Sequence, residues 1–285
     1  MTNIFVNSSE HRKGVLMILL AAILWSTGGL CIKWTNLDAL QVSALRSIFT
    51  VITFWVIFKN KVFKFSVFTF INGIFYAGIL VLFVIATKKT TAANAIFLQY
   101  TAPIYVLIFE PLILKTKYKL LNVLTIIFCF IGMTLFFVGK LSPGDYEGKL
   151  IAILSGIAFA AFLIGMRKNK NSHQEASIFW GNVLIVLLFG STLIGSPAVN
   201  TREIMIGAYL GIFQIGIAYA VFTYGLKRVE AIEASLISMI EPVLNPVWVF
   251  IGKGEVPTLF AIVGGVLILI TITIRTYLVE RRRFI

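Results

Sequence analysis

The feature that most constrains the fold is a series of ten apolar runs, each long enough to cross a bilayer. A transmembrane helix needs roughly 17–25 mostly apolar residues, and short polar connections separate these runs. Charged residues make up only 13% of the chain, against roughly 25% in an ordinary soluble domain. The sequence therefore predicts an all-α integral membrane protein. The predicted spans are 15–34, 40–58, 66–87, 92–114, 120–139, 149–166, 175–195, 205–226, 232–252 and 256–278.

The basic residues indicate how these helices are oriented. The formal net charge is +13, but Lys and Arg occur in short clusters between apolar runs and form no continuous basic face. Nucleic acid is therefore not expected as a partner. Lys and Arg concentrate in cytoplasmic loops of membrane proteins. With the N-terminus inside, 17 of the 25 lie on the cytoplasmic side and 7 outside, and Arg46 lies within a span. This asymmetry predicts a multi-pass protein of the cell (inner) membrane with both termini cytoplasmic.

Cysteine and histidine offer little for catalysis or metal binding. Cys31 and Cys129 lie inside apolar runs and are interpreted as small buried hydrophobes. His11 and His173 are assigned to a tail and a loop, outside the predicted spans. The sequence contains no metal-ligand spacing, so we expect no metal, no cofactor and no enzymatic activity. The run 15–34 exceeds the ~7–15 apolar residues of a signal peptide and is expected to remain as the first membrane helix.

The chain also carries one pattern twice. Two stretches 139 positions apart share a basic pair, an alanine and a proline. These are Lys88–Lys89, Ala95 and Pro103 in the first, and Lys227–Arg228, Ala234 and Pro242 in the second. The first two helices align with the sixth and seventh at an offset of 134. We therefore predict two five-helix repeats, residues 1–140 and 141–285. Each repeat would cross the membrane five times, an odd number, so the second repeat would enter the membrane from the opposite side. Such an inverted repeat is expected to place a binding site near the midplane between the halves.

Prolines interrupt one helix in each predicted repeat. Pro103, Pro242 and Pro246 lie within apolar runs, where each proline removes a backbone donor and clashes with the carbonyl four residues back. Irregular backbone at membrane depth is tolerated where it is buried in protein or lines a cavity. Paired interruptions of this kind are the best sequence indication of a transporter's binding site.

Glu241 and Arg46 are ionisable residues well inside predicted spans, where charge is costly and usually functional. Glu241 is about ten residues, or about 15 Å, into its helix. One interpretation is that Glu241 binds a substrate amine or a proton, because burial favours the neutral, protonated carboxyl group. The other is that it is a structural carboxylate satisfied by neighbouring donors. Arg46 lies about six residues from the outer end of its span. It either binds a substrate carboxylate, pairs with an acid or extends to the interface.

Polar and aromatic residues within the predicted spans are the other candidates for lining a binding cavity. They are Gln99, Tyr100, Asn245, Trp25 and Tyr224. Tyr224 is expected close to one helix face with Gln214 and Tyr219, because spacings of five separate the three residues. Glu110, near the inner end of the fourth helix, is interpreted as an interfacial acid or a gate residue.

Taken in order, these residues resemble the EamA-like branch of the drug/metabolite transporter superfamily. The matching segments are Trp25–Gly29 with Lys33, Arg46, Gln99–Pro103, Gly211–Tyr224, Glu241–Pro246 with Trp248, Gly254–Glu255 and Gly264–Gly265. The resemblance implies a ten-helix secondary transporter that exports metabolites, amino acids among them, through a mostly apolar cavity. The Gly-Glu pair expected after the fourth helix of each repeat is present as Gly254–Glu255, whereas Lys115–Thr116 replaces it in the first half.

The sequence thus favours an exporter of a small metabolite, such as an amino acid or related amine, that works by alternating access. The lipid bilayer is its expected environment, and Glu241 makes protons a candidate coupling ion. Two alternatives remain. A non-transporting sensor or assembly partner would not need a polar midplane site, and an intramembrane enzyme would need a nucleophile–base pair or a metal at membrane depth.

Overall fold

The computed structural model describes residues 8–90, 92–136, 138, 144–169, 174–253 and 258–281, and these residues form helices joined by short turns. Eight of the described helical segments are long and apolar enough to cross a membrane. They are Ser9–Ile32, Ala39–Phe63, Val67–Lys89, Asn94–Leu114, Tyr146–Lys168, Gln174–Leu193, Thr201–Leu226 and Leu259–Val279. The shorter apolar helix Leu120–Leu135 and two helices over 231–253 occupy the predicted fifth and ninth spans.

We number the α-helices in chain order. They are α1 (Ser8–Ser26), α2 (Gly28–Trp34), α3 (Ala39–Phe58), α4 (Val67–Lys89), α5 (Ala92–Gln99), α6 (Ala102–Leu114), α7 (Leu120–Phe136), α8 (Tyr146–Lys168), α9 (Gln174–Phe189), α10 (Thr201–Tyr209), α11 (Ala218–Leu226), α12 (Ala231–Ser238), α13 (Ile240–Lys253) and α14 (Leu259–Arg281). A π-helical segment, Leu210–Ile217, joins α10 to α11. The observed ends lie within a few residues of the predicted ones, except that the first helix begins at Ser8 instead of residue 15.

Side-chain caps fix where several helices begin. The Asp38 carboxylate accepts hydrogen bonds from the backbone N–H groups of Leu40 and Gln41, both at 2.9 Å. At the start of α4, the Ser66 hydroxyl accepts the N–H of Thr69 at 3.1 Å. Both sites are capping boxes, which satisfy backbone donors that the first helical turn leaves unpaired.

The fourth and ninth spans are interrupted at equivalent places. Helix α5 ends at Gln99 and α12 ends at Ser238, each four residues before Pro103 or Pro242. A proline has no N–H to bond the carbonyl four residues back, so the helix ends at that carbonyl. The two interruptions are 139 residues apart, as the repeat predicts.

The structure differs from the prediction at two other points. No interruption falls at Pro246, because the backbone of α13 continues through it, although the side chains of Pro246 and Asn245 lie outside the described part. Conversely, the first span is broken at Thr27, between α1 and α2. The Thr27 hydroxyl donates to the Leu24 carbonyl at 2.8 Å.

The two halves of the chain exchange their first helices. Helix α1 packs against α11, α12 and α13 in the C-terminal half, and α8 packs against α4, α5 and α6 in the N-terminal half. Helices α7 and α14 pack against each other. Each half therefore buries its first helix against the third and fourth spans of the other half.

Glycines allow this exchange at matching positions. A Cβ atom on Gly14 would lie 2.7 Å from the Cβ of Arg228 and 3.1 Å from Val229. A Cβ atom on Gly148 would lie 2.9 Å from the Cβ of Thr90. The glycines are 134 residues apart, and Val229 is 139 residues after Thr90. The same close contact thus occurs twice.

We expect Gly225→Ala to destabilise the protein. A Cβ atom there would lie 2.7 Å from the backbone oxygen of Gly14, so α1 and α11 must move apart at a cost of about 1–3 kcal/mol. Gly78→Ala is the matched control, because its Cβ would meet Ala158 at an ordinary 3.5 Å and alanine favours the helix. The measurement is the thermal unfolding midpoint in detergent. A Gly225→Ala midpoint at or above that of the wild type would contradict this packing.

Candidate functional site

A small cavity lies between the two halves, beside the interrupted helices. Its volume is about 40 Å³. It is lined by Trp25, Arg46, Ile79, Leu80, Phe83, Gln99, Tyr100, Phe159, Gln214, Ile215, Tyr219 and Glu241. A cavity of roughly 10–15 Å³ holds one water, whereas pockets for small molecules measure roughly 300–1,000 Å³. The site is therefore contracted, with room for water but not for a metabolite.

Five of the seven predicted binding residues meet in this cavity. They are Trp25, Arg46, Gln99, Tyr100 and Glu241. The side chain of the sixth, Asn245, lies outside the described part of the structure. The seventh, Tyr224, lies elsewhere, as described below.

A hydrogen bond joins the two helix interruptions across the cavity. Tyr100, in the turn between α5 and α6, donates its phenolic hydroxyl to Glu241 Oε2 at 2.5 Å. Such short O–H···O⁻ bonds are typical when the acceptor is ionised. Glu241 also lies in the first turn of α13, where the helix dipole favours a negative charge.

Arg46 brings the opposite charge into the same cavity. The residue is 1% exposed, so its guanidinium does not extend to the surface. Its Nη2 donates to the Leu80 carbonyl at 2.7 Å, and its Nε has no hydrogen-bond partner. In the part of the chain that the structure describes, no carboxylate oxygen lies within 4.0 Å of this guanidinium. A buried cation is costly without a partner, so an anionic ligand would stabilise it.

Amide side chains from both halves complete the polar lining. Gln99 Nε2 donates to the Ser155 hydroxyl at 2.8 Å. Gln214 Nε2 donates to the Trp25 carbonyl at 3.4 Å, while Gln214 Oε1 and Trp25 Nε1 have no described partner. Together with Arg46 Nε, the residues of the cavity wall therefore contain two donors and one acceptor that have no described hydrogen-bond partner.

Aromatic rings form the apolar side of the cavity. The Trp25 ring centroid lies 4.8 Å from those of Tyr219 and Phe222 and 6.3 Å from that of Phe159. Tyr76 extends the cluster, with its centroid 4.9 Å from that of Tyr219. This wall could receive an apolar or aromatic part of a ligand.

The π-helical segment explains why Tyr224 is not part of the site. In a π-helix, bonds join residues five apart, so Gln214 and Tyr219 lie on one face and both line the cavity. Beyond Ala218 the backbone is α-helical, and at 3.6 residues per turn a further five residues rotate a side chain by about 140°. Tyr224 is therefore 42% exposed, and the Arg228 guanidinium lies 3.5 Å from its ring centroid.

The assignment of His11 to a tail was wrong. His11 is fully buried on α1, and its Nε2 lies 3.0 Å from Glu233 Oε2. The sequence contained a signal for this, because His11 precedes the buried Val15 and Ile18 at helical spacings of four and seven. His173 lies outside the described residues.

Glu110 also joins the two halves. Its carboxylate accepts hydrogen bonds from the N–H groups of Ala231 at 3.0 Å and Ile232 at 2.9 Å, which are the first residues of α12.

Among the described residues, no group of three His, Cys, Asp or Glu side chains could hold a metal ion.

The apolar helices define a multi-pass membrane protein, and a buried polar cavity lies between its two halves. The sequence profile of the EamA-like transporter family matches the chain twice, at residues 12–138 and 147–277. The chain therefore belongs to the EamA-like transporter family, and it is a membrane transporter of the drug/metabolite type. The resemblance inferred from the sequence is confirmed.

Individual relatives agree with this class. The chain is 24% identical to an uncharacterized transporter of Archaeoglobus fulgidus, over 90% of this chain and 94% of that one. It is 24% identical to the uncharacterized inner membrane transporter YicL of Salmonella typhimurium, over 95% and 97%. It is 23% identical to human solute carrier family 35 member G1, over 89% and 76%.

A solved crystal structure shares the fold. Its TM-score is 0.79 at 18% identity, covering 94% of this chain and 98% of the other. At that identity the match supports the arrangement of the helices and carries nothing about a ligand.

We expect Arg46→Met to leave the thermal stability unchanged or to raise it. Methionine can fill a similar space without a buried charge, and apolar replacement of buried charges is often neutral or stabilising. The measurement is the unfolding midpoint in detergent, with Arg275→Met as the contrasting variant, because Arg275 is paired with Glu233 at 2.8 Å. A large loss of stability in Arg46→Met would identify Arg46 as a structural residue.

Proposed function

We propose that the protein is a secondary exporter of a small zwitterionic metabolite, such as an amino acid or related amine, and that it works by alternating access. The observation that carries this proposal is the pair of opposite charges in one buried cavity. Glu241 and Arg46 both line it, and Arg46 has no carboxylate partner within 4.0 Å among the described residues. A ligand with an ammonium and a carboxylate group would complement both.

Six of the lining residues have a role in this proposal. Glu241 would bind the substrate amine, and Arg46 would bind the carboxylate through the bidentate geometry that a guanidinium offers. Gln99 would add a polar contact. Trp25 and Tyr219 would contact the apolar part of the substrate, and Tyr100 would orient the Glu241 carboxylate through their hydrogen bond.

We further propose ten transmembrane helices in two inverted repeats, residues 1–140 and 141–285. The twofold match of the family profile supports this, as do the exchanged first helices and the interruptions 139 residues apart. The distribution of Lys and Arg supports a cytoplasmic location for both termini. The name of the Salmonella relative supports the inner membrane as the location.

Transport in this scheme uses the interruptions as hinges. A cavity of about 40 Å³ must enlarge to admit a metabolite, since small-molecule pockets measure roughly 300–1,000 Å³. The short helices on either side of the turns at Tyr100 and Met239 could move separately. Glu241 could bind a proton when the substrate amine leaves, which would couple export to proton entry.

We expect Glu241→Gln to abolish proton-coupled transport in proteoliposomes, because the amide can neither ionise nor neutralise an ammonium group. Glu147→Gln is the matched control, since Glu147 is a 69% exposed partner of Lys89 and should transport normally. The assay would compare amino acids with their amides and their deaminated acids. Unchanged, pH-dependent flux through Glu241→Gln would remove this residue from the mechanism.

The proposed orientation makes a separate prediction about surface loops. With Cys31 and Cys129 replaced by alanine, Pro197→Cys should react with a membrane-impermeant maleimide in intact cells. Lys64→Cys should react only after permeabilisation. Both positions are exposed, so accessibility of the thiol itself is matched. The reverse pattern would place both termini outside.

A further inference from the structure

A second buried polar cluster lies away from the central cavity. It consists of His11, Asn122, Glu233 and Arg275, and we call it the terminal-side cluster. Arg275 Nη1 donates to Glu233 Oε1 at 2.8 Å, and Arg275 Nη2 donates to Asn122 Oδ1 at 3.1 Å. His11 Nε2 lies 3.0 Å from Glu233 Oε2. All four residues are at most 5% exposed.

The cluster joins four helices from both halves of the chain. His11 belongs to α1 and Asn122 to α7, whereas Glu233 belongs to α12 and Arg275 to α14. It lies at the end of the molecule where α1 begins and α14 ends. Glu233 Oε1 contacts Arg275 of the C-terminal half, and Glu233 Oε2 contacts His11 of the N-terminal half. This carboxylate therefore ties the start of the ninth span to its neighbours on two sides.

Although the cluster lies away from the central cavity, α12 connects the two along the chain. Glu233 precedes Glu241 by eight residues, or about 12 Å of helix, and the interruption at Met239 lies between them. Glu110 holds the same end of α12, since it accepts the N–H groups of Ala231 and Ile232. Movement of α12 therefore requires these contacts to separate.

We propose that the terminal-side cluster is the ionic closure on the cytoplasmic side of the central cavity. When its pairs are formed, His11 links α12 to α1 and Arg275 links it to α14 and α7, and the cavity is sealed from that side. When they separate, α12 turns about Met239 and the cavity opens to the cytoplasm. This inference rests on the proposed alternating access and identifies the residues that control one of its two states.

The chemistry of the cluster suits a seal that must open repeatedly. A buried ion pair gains little net free energy over its separated, hydrated partners, because desolvation offsets the attraction between the charges. Opening the cluster to water restores that hydration. An apolar seal of similar area would instead expose hydrophobic surface at a cost proportional to that area. The two states can thus be close in free energy.

The opposite end of the molecule is built differently. There the buried Glu203 accepts hydrogen bonds from the Thr35 hydroxyl and from the Asn36 N–H. Its nearest described cation, Arg202, is 62% exposed at 4.0 Å. Asn94, which the 139-residue offset aligns with Glu233, is uncharged. Within the described residues, a buried cross-half ion-pair cluster therefore marks the terminal side.

The test measures how readily the cavity opens to the cytoplasm. Cys31 and Cys129 are replaced by alanine, and Ile79, which lines the cavity, is replaced by cysteine. A membrane-impermeant maleimide is added to inside-out vesicles. Glu233→Gln leaves Arg275 buried without its counter-charge, which strongly disfavours the closed state. We expect labelling from the cytoplasmic side to become about tenfold faster or more, and labelling from the outside not to rise.

Glu230→Gln is the matched control. Glu230 lies three residues before Glu233 and pairs with Lys119, again across the two halves, but these side chains are 33% and 46% exposed. Exposed ion pairs contribute little, so labelling in this variant should stay near the wild-type rate. Equal labelling of Glu233→Gln, Glu230→Gln and wild type, with monodisperse protein, would overturn the proposal.

A double variant tests the same inference from the other direction. Glu233→Leu with Arg275→Met replaces the pair by apolar side chains, a change that is often neutral or stabilising for the folded protein. The closure should then form but open rarely, so that cytoplasmic labelling and transport both fall below wild type. If Glu233→Gln does not fold, this variant decides, and labelling at or above the wild-type rate counts against the closure.

The labelling result is independent of the transported substrate. If no amino acid or amine is transported but Glu233→Gln still accelerates cytoplasmic labelling, the closure stands and the proposed substrate fails. If transport proceeds as proposed but labelling does not respond to Glu233→Gln, the closure fails alone.

Discussion

The structure depends on the exchange of first helices between the two halves. Gly14 on α1 and Gly148 on α8 let each helix approach the backbone of the opposite half. Because α1 and α8 bury their surfaces against the other half, neither half can complete its own core. The central cavity then lies at an interface that cannot come fully apart, and in the proposed transport cycle it would rearrange where the helices are interrupted.

The two interruptions match in backbone position but not in chemistry. Tyr100 aligns with Met239, and Glu241 aligns with Ala102. A carboxylate at both places would put two like charges in one small cavity, which disfavours ionisation of both. With one carboxylate and one phenol, the phenol donates across the interface at 2.5 Å. This asymmetry gives the single carboxylate a hydrogen-bond donor within the contracted site.

Much of this arrangement could be predicted from the sequence, because it follows from length, hydrophobicity and proline chemistry. Span positions, the interruptions before Pro103 and Pro242, and the cavity residues Glu241 and Arg46 all have local signals. The position of Tyr224 has none, since a π-helical segment changes which residues share a face only where it occurs. The partner of His11 is 222 residues away, and only packing brings the two side chains together.

The contracted cavity limits how a substrate could drive the proposed alternating-access cycle. A ligand shifts a conformational equilibrium only by its difference in affinity between the states. A cavity of about 40 Å³ has almost no affinity for a metabolite, so any bound substrate stabilises only enlarged forms. Arg46 has no described carboxylate partner within 4.0 Å in the contracted form, and its compensation by a substrate anion would add to that difference. The free energy for leaving the contracted state would then come from contacts between the substrate and the binding residues. Contacts at the two ends of the molecule would decide to which side of the membrane the cavity opens.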